Sequence, residues 1–404
     1  MRTIYFDKDI PKILAVKALK PLSSDVVFTP ISPTRLEDVP EPQLPGPRWV
    51  RLCNKVCGIC ASDLAFLYAD TDPKIGAAAL PGVERFYLGH EAVSEVTEVG
   101  PDVTRFTVGD RVLMHTHFYG ANCLTQEIEP PCRSCAAGNY LLCENASLNL
   151  APRGIGGGWG DGYTAHEVQI YPVPDDFSDD EAMMVEPLSV GVHSVLRRMP
   201  EPGEHVLVLG CGIVGLNIIQ ALRALAPGCR ITAIARYDHQ AQTAKRLGAD
   251  EILRGEPSYE DIARVTGGKA YEGMLGSRML LGGFDIVYDS VGSSQTLQNS
   301  LRWARARGAV VLSGSKLAIL QLDLMPVWYQ EVDLFGVYAY GREHWRGRVV
   351  DTFQLTMELL REGKLTIEGL ITHRLPLQQW REAINTARDK SSGSIRVVFD
   401  YGLE

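Results

Sequence analysis

The chain has 404 residues, 45% of them hydrophobic and 22% charged, which is typical of a globular protein with two domains that each bury a core. Its net charge of −9 and its scattered lysines and arginines argue against a nucleic-acid partner, since such binding needs clustered basic residues. No apolar run approaches the roughly 18 residues of a membrane span and no secretory signal opens the chain, so we expect a cytoplasmic protein with no membrane partner.

Short alternating apolar runs, broken by glycine and proline, extend to about residue 185. Residues 88–114, LGHEAVSEVTEVGPDVTRFTVGDRVLM, are an example. This pattern predicts antiparallel β structure. Seven of the nine cysteines also lie before residue 150, and clustered cysteines in a long cytoplasmic chain more often bind metal or act in catalysis than form disulfides.

The first cysteine cluster is VCGICASDL, residues 56–64. Cys57 and Cys60 are either a redox pair, two ligands of a zinc site, or one ligand beside a cysteine without a role. A redox pair of this spacing is typical of a thioredoxin-like context, which the flanking sequence does not provide.

Strands alternate with helices in the next part of the chain. The apolar run HVLVLG (205–210) leads into a glycine turn and a helical pattern, and then into the run RITAIA (230–235). FDIVYDSVG and GAVVLSG are further short apolar runs separated by helical segments. This alternation predicts a parallel, doubly wound sheet.

The glycine turn GCGIVG has the spacing G-x-G-x-x-G at Gly210, Gly212 and Gly215. The first glycine permits a tight turn, the second lets the backbone approach a pyrophosphate, and the third lets helix and strand pack closely. Because the turn follows a strand and opens a helix, we predict dinucleotide binding, the alternative being a glycine-rich turn without a ligand.

The end of the second strand indicates which dinucleotide binds. Units that bind NAD usually carry an acidic residue there for the ribose 2′-hydroxyl, whereas an arginine accommodates the 2′-phosphate of NADP. Here the strand ends at Ala235 and Arg236 follows. We therefore predict a preference for NADP over NAD, the alternative being that Arg236 is a solvated surface residue and Asp238 reaches back to the ribose.

After about residue 338 the pattern returns to mixed structure and ends in GSIRVVFDY. We predict a catalytic domain over residues 1–188, a dinucleotide-binding domain over 189–337, and a return to the catalytic domain over 338–404.

Together the motifs resemble the zinc-dependent medium-chain dehydrogenase/reductase superfamily, which contains alcohol, polyol, threonine and glucose dehydrogenases. The resemblance rests on VCGICASDL, LGHEAVSEV, VGDRV, GDGYTAHEV, MMVEPLSVGVHSV, the glycine turn and GLITHRLPL, in that order along the chain. It implies an α/β protein with a GroES-like, mainly β catalytic domain and a Rossmann coenzyme domain.

The resemblance also implies a catalytic zinc site. Cys60 and His90 match zinc ligands of the family, and Cys57 matches a position without a role. Glu91 matches a residue that either binds the metal or waits behind the ligands, and Glu186 occupies the third protein position of the polyol, threonine and glucose branches. Such a set leaves one position open for water or substrate, as catalytic zinc requires. We expect Asp63 to orient His90.

A second zinc site is implied by CLTQEIEPPCRSCAAGNYLLC, residues 123–143. Cys132, Cys135 and Cys143 match the last three cysteines of the family's structural zinc lobe, but Glu129 stands at the first position. We predict that Cys123 is the fourth ligand, because structural zinc favours a complete set of thiolates or imidazoles. Glu129 as ligand, or an empty lobe with free thiols, are the alternatives.

The implied activity is that of a zinc-dependent alcohol or polyol dehydrogenase (EC 1.1.1.-) that uses NADP(H) on a small alcohol or carbonyl compound and forms a homodimer or homotetramer. Ser62 matches the residue that hydrogen-bonds the reacting oxygen. Many relatives carry a histidine three residues later to release the proton, whereas this chain has Ala65, so water near Glu186 is the expected substitute. The alternative function is a catalytically silent nucleotide-binding protein with a structural or regulatory role.

Arg396 matches a family position that contacts the cofactor phosphates, although a surface arginine is the alternative. Residues 66–87 are longer than expected for the family and should lie near the substrate mouth. The predicted cofactor-binding residues are Gly210, Gly212, Ile213, Val214, Gly215, Ala235, Arg236, Tyr237, Val291, Gly314 and Arg396.

Overall fold

The computed structural model describes residues 1–72, 74, 84–115, 122–146 and 154–403. The chain divides into two units: Met1–Glu186 together with Ile367–Glu404 form the first unit, and Pro187–Thr366 form the second. The first division lies two residues from the predicted position, 186 instead of 188.

The predicted return to the first domain at residue 338 is wrong. The chain rejoins the first unit only after Thr366, because the segment before it contacts residues of the second unit. Thr356 Oγ1 lies 2.9 Å from Ser189 Oγ, and the amide of Thr366 donates to Gln220 Oε1 at 2.9 Å. The amphipathic pattern of this segment suits either unit, so the sequence alone does not reveal the division.

The elements follow in chain order. Those before residue 200 are β1 (Arg2–Asp7), α1 (Ile10–Leu19), β2 (Thr34–Asp38), β3 (Trp49–Gly58), α2 (Ala61–Leu67), β4 (Arg85–Tyr87), β5 (Glu91–Val99), β6 (Arg111–Met114), α3 (Arg133–Ala136), β7 (Gly162–His166), β8 (Ile170–Pro172) and α4 (Asp179–Arg197). Those of residues 200–303 are β9 (His205–Leu209), α5 (Ile213–Leu225), β10 (Arg230–Ala235), α6 (Asp238–Arg246), β11 (Glu251–Arg254), α7 (Tyr259–Thr266), β12 (Lys269–Glu272), β13 (Arg278–Leu281), β14 (Phe284–Asp289) and α8 (Ser294–Trp303). The remainder are β15 (Ala304–Leu312), α9 (Met325–Tyr329), β16 (Asp333–Gly336), β17 (Arg342–Trp345), β18 (Arg348–Asp351), α10 (Thr352–Arg361), β19 (Ile371–Leu375), α11 (Trp380–Arg388) and β20 (Arg396–Asp400).

The first unit is built around a mainly antiparallel sheet in the order β19-β20-β3-β5-β6-β8, and β7 also pairs with β3. A smaller sheet, β2-β1-β4, contributes Phe6 and Phe86 to the core. Phe66 of α2 stacks on Phe86 with ring centroids 5.5 Å apart and meets Phe6 at 5.9 Å. These aromatic contacts fix α2 and therefore the residues at its start.

The second unit contains a parallel sheet in the order β11-β10-β9-β14-β15-β16. Its inner strands β9 and β14 are almost entirely buried, as expected for a sheet that is covered on both faces. The strand order reverses between β9 and β14, and open α/β sheets bind ligands at such a switch point. The predicted parallel, doubly wound sheet is confirmed.

Candidate active site and metal centres

Three potential metal ligands of the first unit converge. The ligand atoms of Cys60, His90 and Glu91 lie within 4.8 Å of one another. Cys60 occupies the N-cap position of α2, and Glu91 is the first residue of β5. Thiolate, imidazole and carboxylate are the donors that zinc accepts, so this set fits a zinc ion.

Asp63 fixes the orientation of His90. Its Oδ2 lies 3.1 Å from His90 Nδ1, and its Oδ1 accepts a hydrogen bond from the amide of Gly89 at 3.0 Å. Burial lowers the pKa of His90, but Asp63 and Cys60 outweigh it and raise that pKa. The carboxylate therefore holds Nδ1, which leaves Nε2 to bind a metal, as the sequence predicts.

Glu91 is buried against Arg396. The two side chains are 1% and 2% exposed, and Arg396 Nη2 lies 3.1 Å from Glu91 Oε1. Arg396 Nη1 also donates to the carbonyl of Ile59 at 2.7 Å. Glu91 Oε2 has no hydrogen-bond partner among the described residues, and a Cβ on Gly58 would approach it to 1.9 Å. Arg396 thus balances the negative charge of Glu91 from the side of Oε1, and Oε2 remains available as a metal ligand.

The burial of Arg396 corrects one expectation. Arg396 is not the surface arginine that was the alternative, since its guanidinium is enclosed beside Glu91. Its contact with the cofactor phosphates stays a prediction.

Glu186 lies in α4 and is buried. Its carboxylate is outside the group of ligand atoms formed by Cys60, His90 and Glu91. Burial raises the pKa of Glu186 to about 8, while the charge of His90 lowers that pKa and the charge of Glu91 raises it. Glu186 therefore interacts electrostatically with two of the candidate metal ligands. Direct binding of the metal by one of the two carboxylates, Glu91 or Glu186, stays a prediction.

Cys57 and Ser62 complete the account of the first cysteine motif. Cys57 is fully buried in β3 and lies outside the ligand group, and burial raises the pKa of its thiol. A buried thiol of this kind is inert, which argues against the redox pair. Ser62 Oγ donates to Cys60 Sγ at 3.2 Å, so its hydroxyl lies beside the candidate metal site.

The second cysteine cluster also converges. The sulfur atoms of Cys123, Cys132, Cys135 and Cys143 lie within 4.8 Å of one another, with separations of 3.7 Å between Cys123 and Cys143 and 4.0 Å between Cys132 and Cys143. Four thiolates around tetrahedral zinc at about 2.3 Å have sulfur atoms about 3.8 Å apart. Glu129 is exposed, so Cys123 is the residue that the structure places with the other three.

Backbone amides prepare these sulfur atoms for a metal. The amides of Cys135 and Glu144 donate to Cys132 Sγ, and the amide of Asn145 donates to Cys143 Sγ. The Asn145 side chain donates to Cys123 Sγ at 3.2 Å. The backbone donor from Cys135 is the largest reason that the pKa of Cys132 falls to about 6. Donors of this kind favour the thiolate form that binds metal.

The glycine turn of the second unit has the shape that a dinucleotide requires. Gly210 has φ +95°, and a Cβ on Gly215 would lie 1.8 Å from the Gly210 carbonyl oxygen. Gly212 is the N-cap of α5 and has no side chain to satisfy the first amides, which begin at Ile213 and Val214. These free amides and the helix dipole favour an anion at this position.

Two further predicted cofactor residues adjoin this turn. A Cβ on Gly210 would lie 2.6 Å from Val291 Cγ2, and a Cβ on Gly314 would lie 2.3 Å from the backbone of Ser290. Ser290 Oγ donates to the Gly210 carbonyl at 3.0 Å. The structure thus brings Val291 and Gly314 close to the glycine turn.

At the end of β10, Ala235 is buried, whereas Arg236 is exposed and Tyr237 caps α6. Asp238, the alternative ribose partner, forms an ion pair with Arg254. Residues 73 and 75–83 of the segment expected at the substrate mouth lie outside the described residues.

Comparisons with known proteins agree with both units. Residues 46–175 match the family model described as alcohol dehydrogenase GroES-like domain, and residues 214–354 match the one described as zinc-binding dehydrogenase. A sorbitol dehydrogenase of Arabidopsis thaliana is 31% identical over 357 residues, which are 88% of this chain and 89% of that protein. The chain belongs to the zinc-type medium-chain dehydrogenase/reductase superfamily. It is a zinc-dependent dehydrogenase of the alcohol and polyol class.

Two other similar proteins extend the comparison. An L-idonate 5-dehydrogenase of Vitis vinifera is 31% identical over 364 residues, 88% of each chain. The crystal structure of 2R,3R-butanediol dehydrogenase from Bacillus subtilis, 24% identical, has a TM-score of 0.68 over 91% of this chain and 96% of that one, and shows the same fold. Among the described residues of the dehydrogenase, no helix is long and apolar enough to cross a bilayer.

Sequence reasoning missed the Glu91–Arg396 pair and the position of Arg254. The first joins two residues that are far apart in the sequence, and no local pattern predicts such a pair. The second had a local signal, since the segment EILR ends in arginine, but its strand was not predicted.

Proposed function

We propose that the dehydrogenase transfers a hydride between NADP(H) and a secondary alcohol, polyol or sugar, or the corresponding carbonyl compound. The observation that carries this proposal is the group formed by Cys60, His90 and Glu91, with the Ser62 hydroxyl beside it. The names of the similar sorbitol and idonate dehydrogenases favour a polyol or sugar derivative over a simple primary alcohol.

Zinc would be held by Cys60, His90 and one of the carboxylates Glu91 or Glu186. When bound, it would supply Lewis acidity that polarises the substrate oxygen. Asp63 would keep the His90 imidazole in the tautomer that binds metal. Arg396 would balance the buried negative charge of Glu91. Ser62 would accept the hydroxyl proton of the substrate and at the same time donate its own proton onward, so that its oxygen stays neutral.

The route of that proton to solvent differs from the family pattern. Residue 65 is alanine and cannot accept a proton. Glu186 is buried, and the charges of His90 and Glu91 act on its carboxyl group, so it belongs to the surroundings of the candidate metal site. We therefore infer that water at Glu186 takes the place of the histidine relay.

The preference for NADP rests on the end of β10. Ala235 carries no carboxylate to repel a phosphate, and Arg236 is exposed beside it. A guanidinium offers a planar and permanently charged fork that suits a phosphate group. The Rossmann sheet and its glycine turn support a nicotinamide dinucleotide, and these two residues favour the form with a 2′-phosphate.

Activity assays on a panel of polyols, sugars and ketones, each with NADP(H) and NAD(H), test the proposal. We expect turnover of a secondary alcohol with NADP to exceed turnover with NAD, and loss of turnover after zinc is removed by a chelator. Equal or better turnover with NAD, or full turnover in protein shown to contain no zinc, would contradict it.

The cysteine cluster of residues 123–143 is proposed as a structural zinc site, which gives about two zinc ions per chain in total. Cys123→Ser should remove one zinc and lower the melting temperature, because structural zinc binding contributes to folding. Glu129→Gln is the matched control and should change neither quantity, since Glu129 is exposed. The reverse result would identify Glu129 as the ligand.

A further inference from the structure

We propose that Arg254 is a second residue that selects NADP over NAD, by binding the phosphate of the adenosine ribose together with Arg236. This inference rests on the proposed cofactor preference and assigns it to a residue of a neighbouring strand.

The sheet register brings Arg254 to the place where the ribose is read. β10 and β11 are parallel, and Arg254 is directly opposite Ala235. Both strands therefore end at the same edge of the sheet. In dinucleotide-binding folds, the residue at the end of the second strand faces the adenosine ribose.

Two contacts hold the Arg254 guanidinium over the start of α6. Nη1 donates to the carbonyl of Tyr237 at 3.3 Å, and Nη2 binds the carboxylate of Asp238. Tyr237 and Asp238 directly follow Arg236 in the chain. Arg254 thus contacts the two residues that follow the exposed Arg236, although the two arginines come from different parts of the sequence.

The ion pair with Asp238 has two effects on cofactor choice. It occupies the only carboxylate of the segment 235–240, which would otherwise be free to bind the ribose hydroxyls of NAD. It also leaves donors available, because a guanidinium has five N–H groups and these contacts use two of them.

The pair itself is not strong enough to exclude a phosphate. The side chains of Arg254 and Asp238 are 44% and 88% exposed. Exposed ion pairs contribute little to stability, about 0 to 1 kcal/mol, whereas a phosphate offers a bidentate and more highly charged partner. The Arg254 guanidinium can therefore leave Asp238 and bind the phosphate with little loss of stability.

The test measures binding of four probes by titration at fixed salt: NADPH, NADH, adenosine 2′,5′-bisphosphate and 5′-AMP. In Arg254→Ala we expect NADPH and the 2′,5′-bisphosphate to bind about tenfold more weakly, the loss of one charge-assisted contact. We expect NADH and 5′-AMP not to weaken. Arg254→Lys should fall between wild type and Arg254→Ala, since it keeps the charge but not the fork.

Arg230→Ala is the matched control. Arg230 forms a similar exposed ion pair with Glu251, at the opposite end of β10. It lies about 16 Å along the strand from Ala235 at about 3.3 Å per residue. Arg230→Ala changes the net charge as much as Arg254→Ala does, but at a distance from the predicted phosphate site. The variant should therefore bind all four probes as tightly as wild type.

The outcomes separate this inference from the proposed function. Wild type that binds NADH as tightly as NADPH would overturn both. Wild type that prefers NADPH, with NADPH affinity unchanged in Arg254→Ala, would overturn only the role of Arg254. A tighter binding of NADH with NADPH unchanged would also overturn it, because Arg254 would then act only by restraining Asp238.

Discussion

Cys57 and Cys60 belong to the same short motif but have different surroundings. Cys60 begins α2 beside His90 and Glu91, whereas Cys57 is enclosed in β3 against Gly158, where a Cβ would lie 2.4 Å from its sulfur. The direction of each side chain, and not the spacing of the motif, decides which sulfur can reach a metal.

Replacing each cysteine should therefore have a different effect. Cys60→Ser should remove the catalytic zinc and the activity but leave cofactor affinity unchanged. Cys57→Ala should keep zinc, activity and cofactor binding, and lower the free energy of unfolding by about 1 kcal/mol through the small cavity. Metal analysis, assays and cofactor titration of both variants check this. Loss of zinc in Cys57→Ala would show that the assignment of the pair is wrong.

His205 is a single residue that should make the stability depend on pH. Its Nε2 lies 2.8 Å from Thr232 Oγ1, and its ring packs on Phe284 with centroids 4.9 Å apart. Burial and then the charge of Arg230 lower its pKa from 6.5 to about 4. Between those two values the unfolded chain binds a proton that the folded chain does not, so the free energy of unfolding decreases as the pH falls.

We expect His205→Asn to lose less stability than wild type between about pH 7 and pH 5, since asparagine does not titrate. Melting temperatures of both proteins at the two pH values measure the difference. Other groups, including the metal ligands, titrate in both proteins and cancel in the comparison. An equal loss in the two proteins would mean that His205 is protonated in the folded chain.

At the scale of an element, the turn between β9 and α5 separates folding from binding. A Cβ on Gly215 meets a backbone oxygen at 1.8 Å, whereas a Cβ on Gly212 meets nothing within 4 Å. Gly215 is therefore required by the packing of strand and helix. At Gly212 no protein atom fills the space of a side chain, so a ligand can approach the backbone closely.

Gly215→Ala should lower the free energy of unfolding by about 1 to 3 kcal/mol, the usual cost of overpacking. Gly212→Ala should leave the melting temperature unchanged and weaken the binding of both NADPH and NADH, because its methyl group would enter the space predicted for the pyrophosphate. Thermal unfolding and cofactor titration distinguish the two. Unchanged cofactor affinity in Gly212→Ala would contradict binding at this turn.

At the scale of the whole molecule, the second unit is continuous in sequence, from Pro187 to Thr366, and has its own sheet and core. We expect a fragment of residues 187–366 to fold and to keep the preference for NADPH over NADH. Proline is well tolerated in the first turn of a helix, so the cut before Pro187 leaves a stable helix start. Circular dichroism and cofactor titration test this, with Gly212→Ala in the fragment as the control. A folded fragment without cofactor preference would contradict it.

The sequence predicted much of this architecture because its signals are local. The G-x-G-x-x-G turn, the alternating strands and the grouped cysteines each lie within a short stretch, and the structure places Cys60, His90 and Glu91 together as the motifs imply. Features that depend on distant partners were missed. The boundary at Thr366 depends on Ser189 and Gln220, and the charge of Glu91 depends on Arg396.

The pairing of Glu91 with Arg396 also has a consequence for biosynthesis. The ribosome makes the first unit as two separate segments, since residues 187–366 are translated between them. β20, which supplies Arg396, is an inner strand between β19 and β3. During translation β3 therefore lacks this neighbour, and Glu91 lacks its counter-charge, until the ribosome has made the second unit and then β20. We therefore expect zinc binding by Cys60, His90 and a charge-compensated Glu91 to follow synthesis of the second unit.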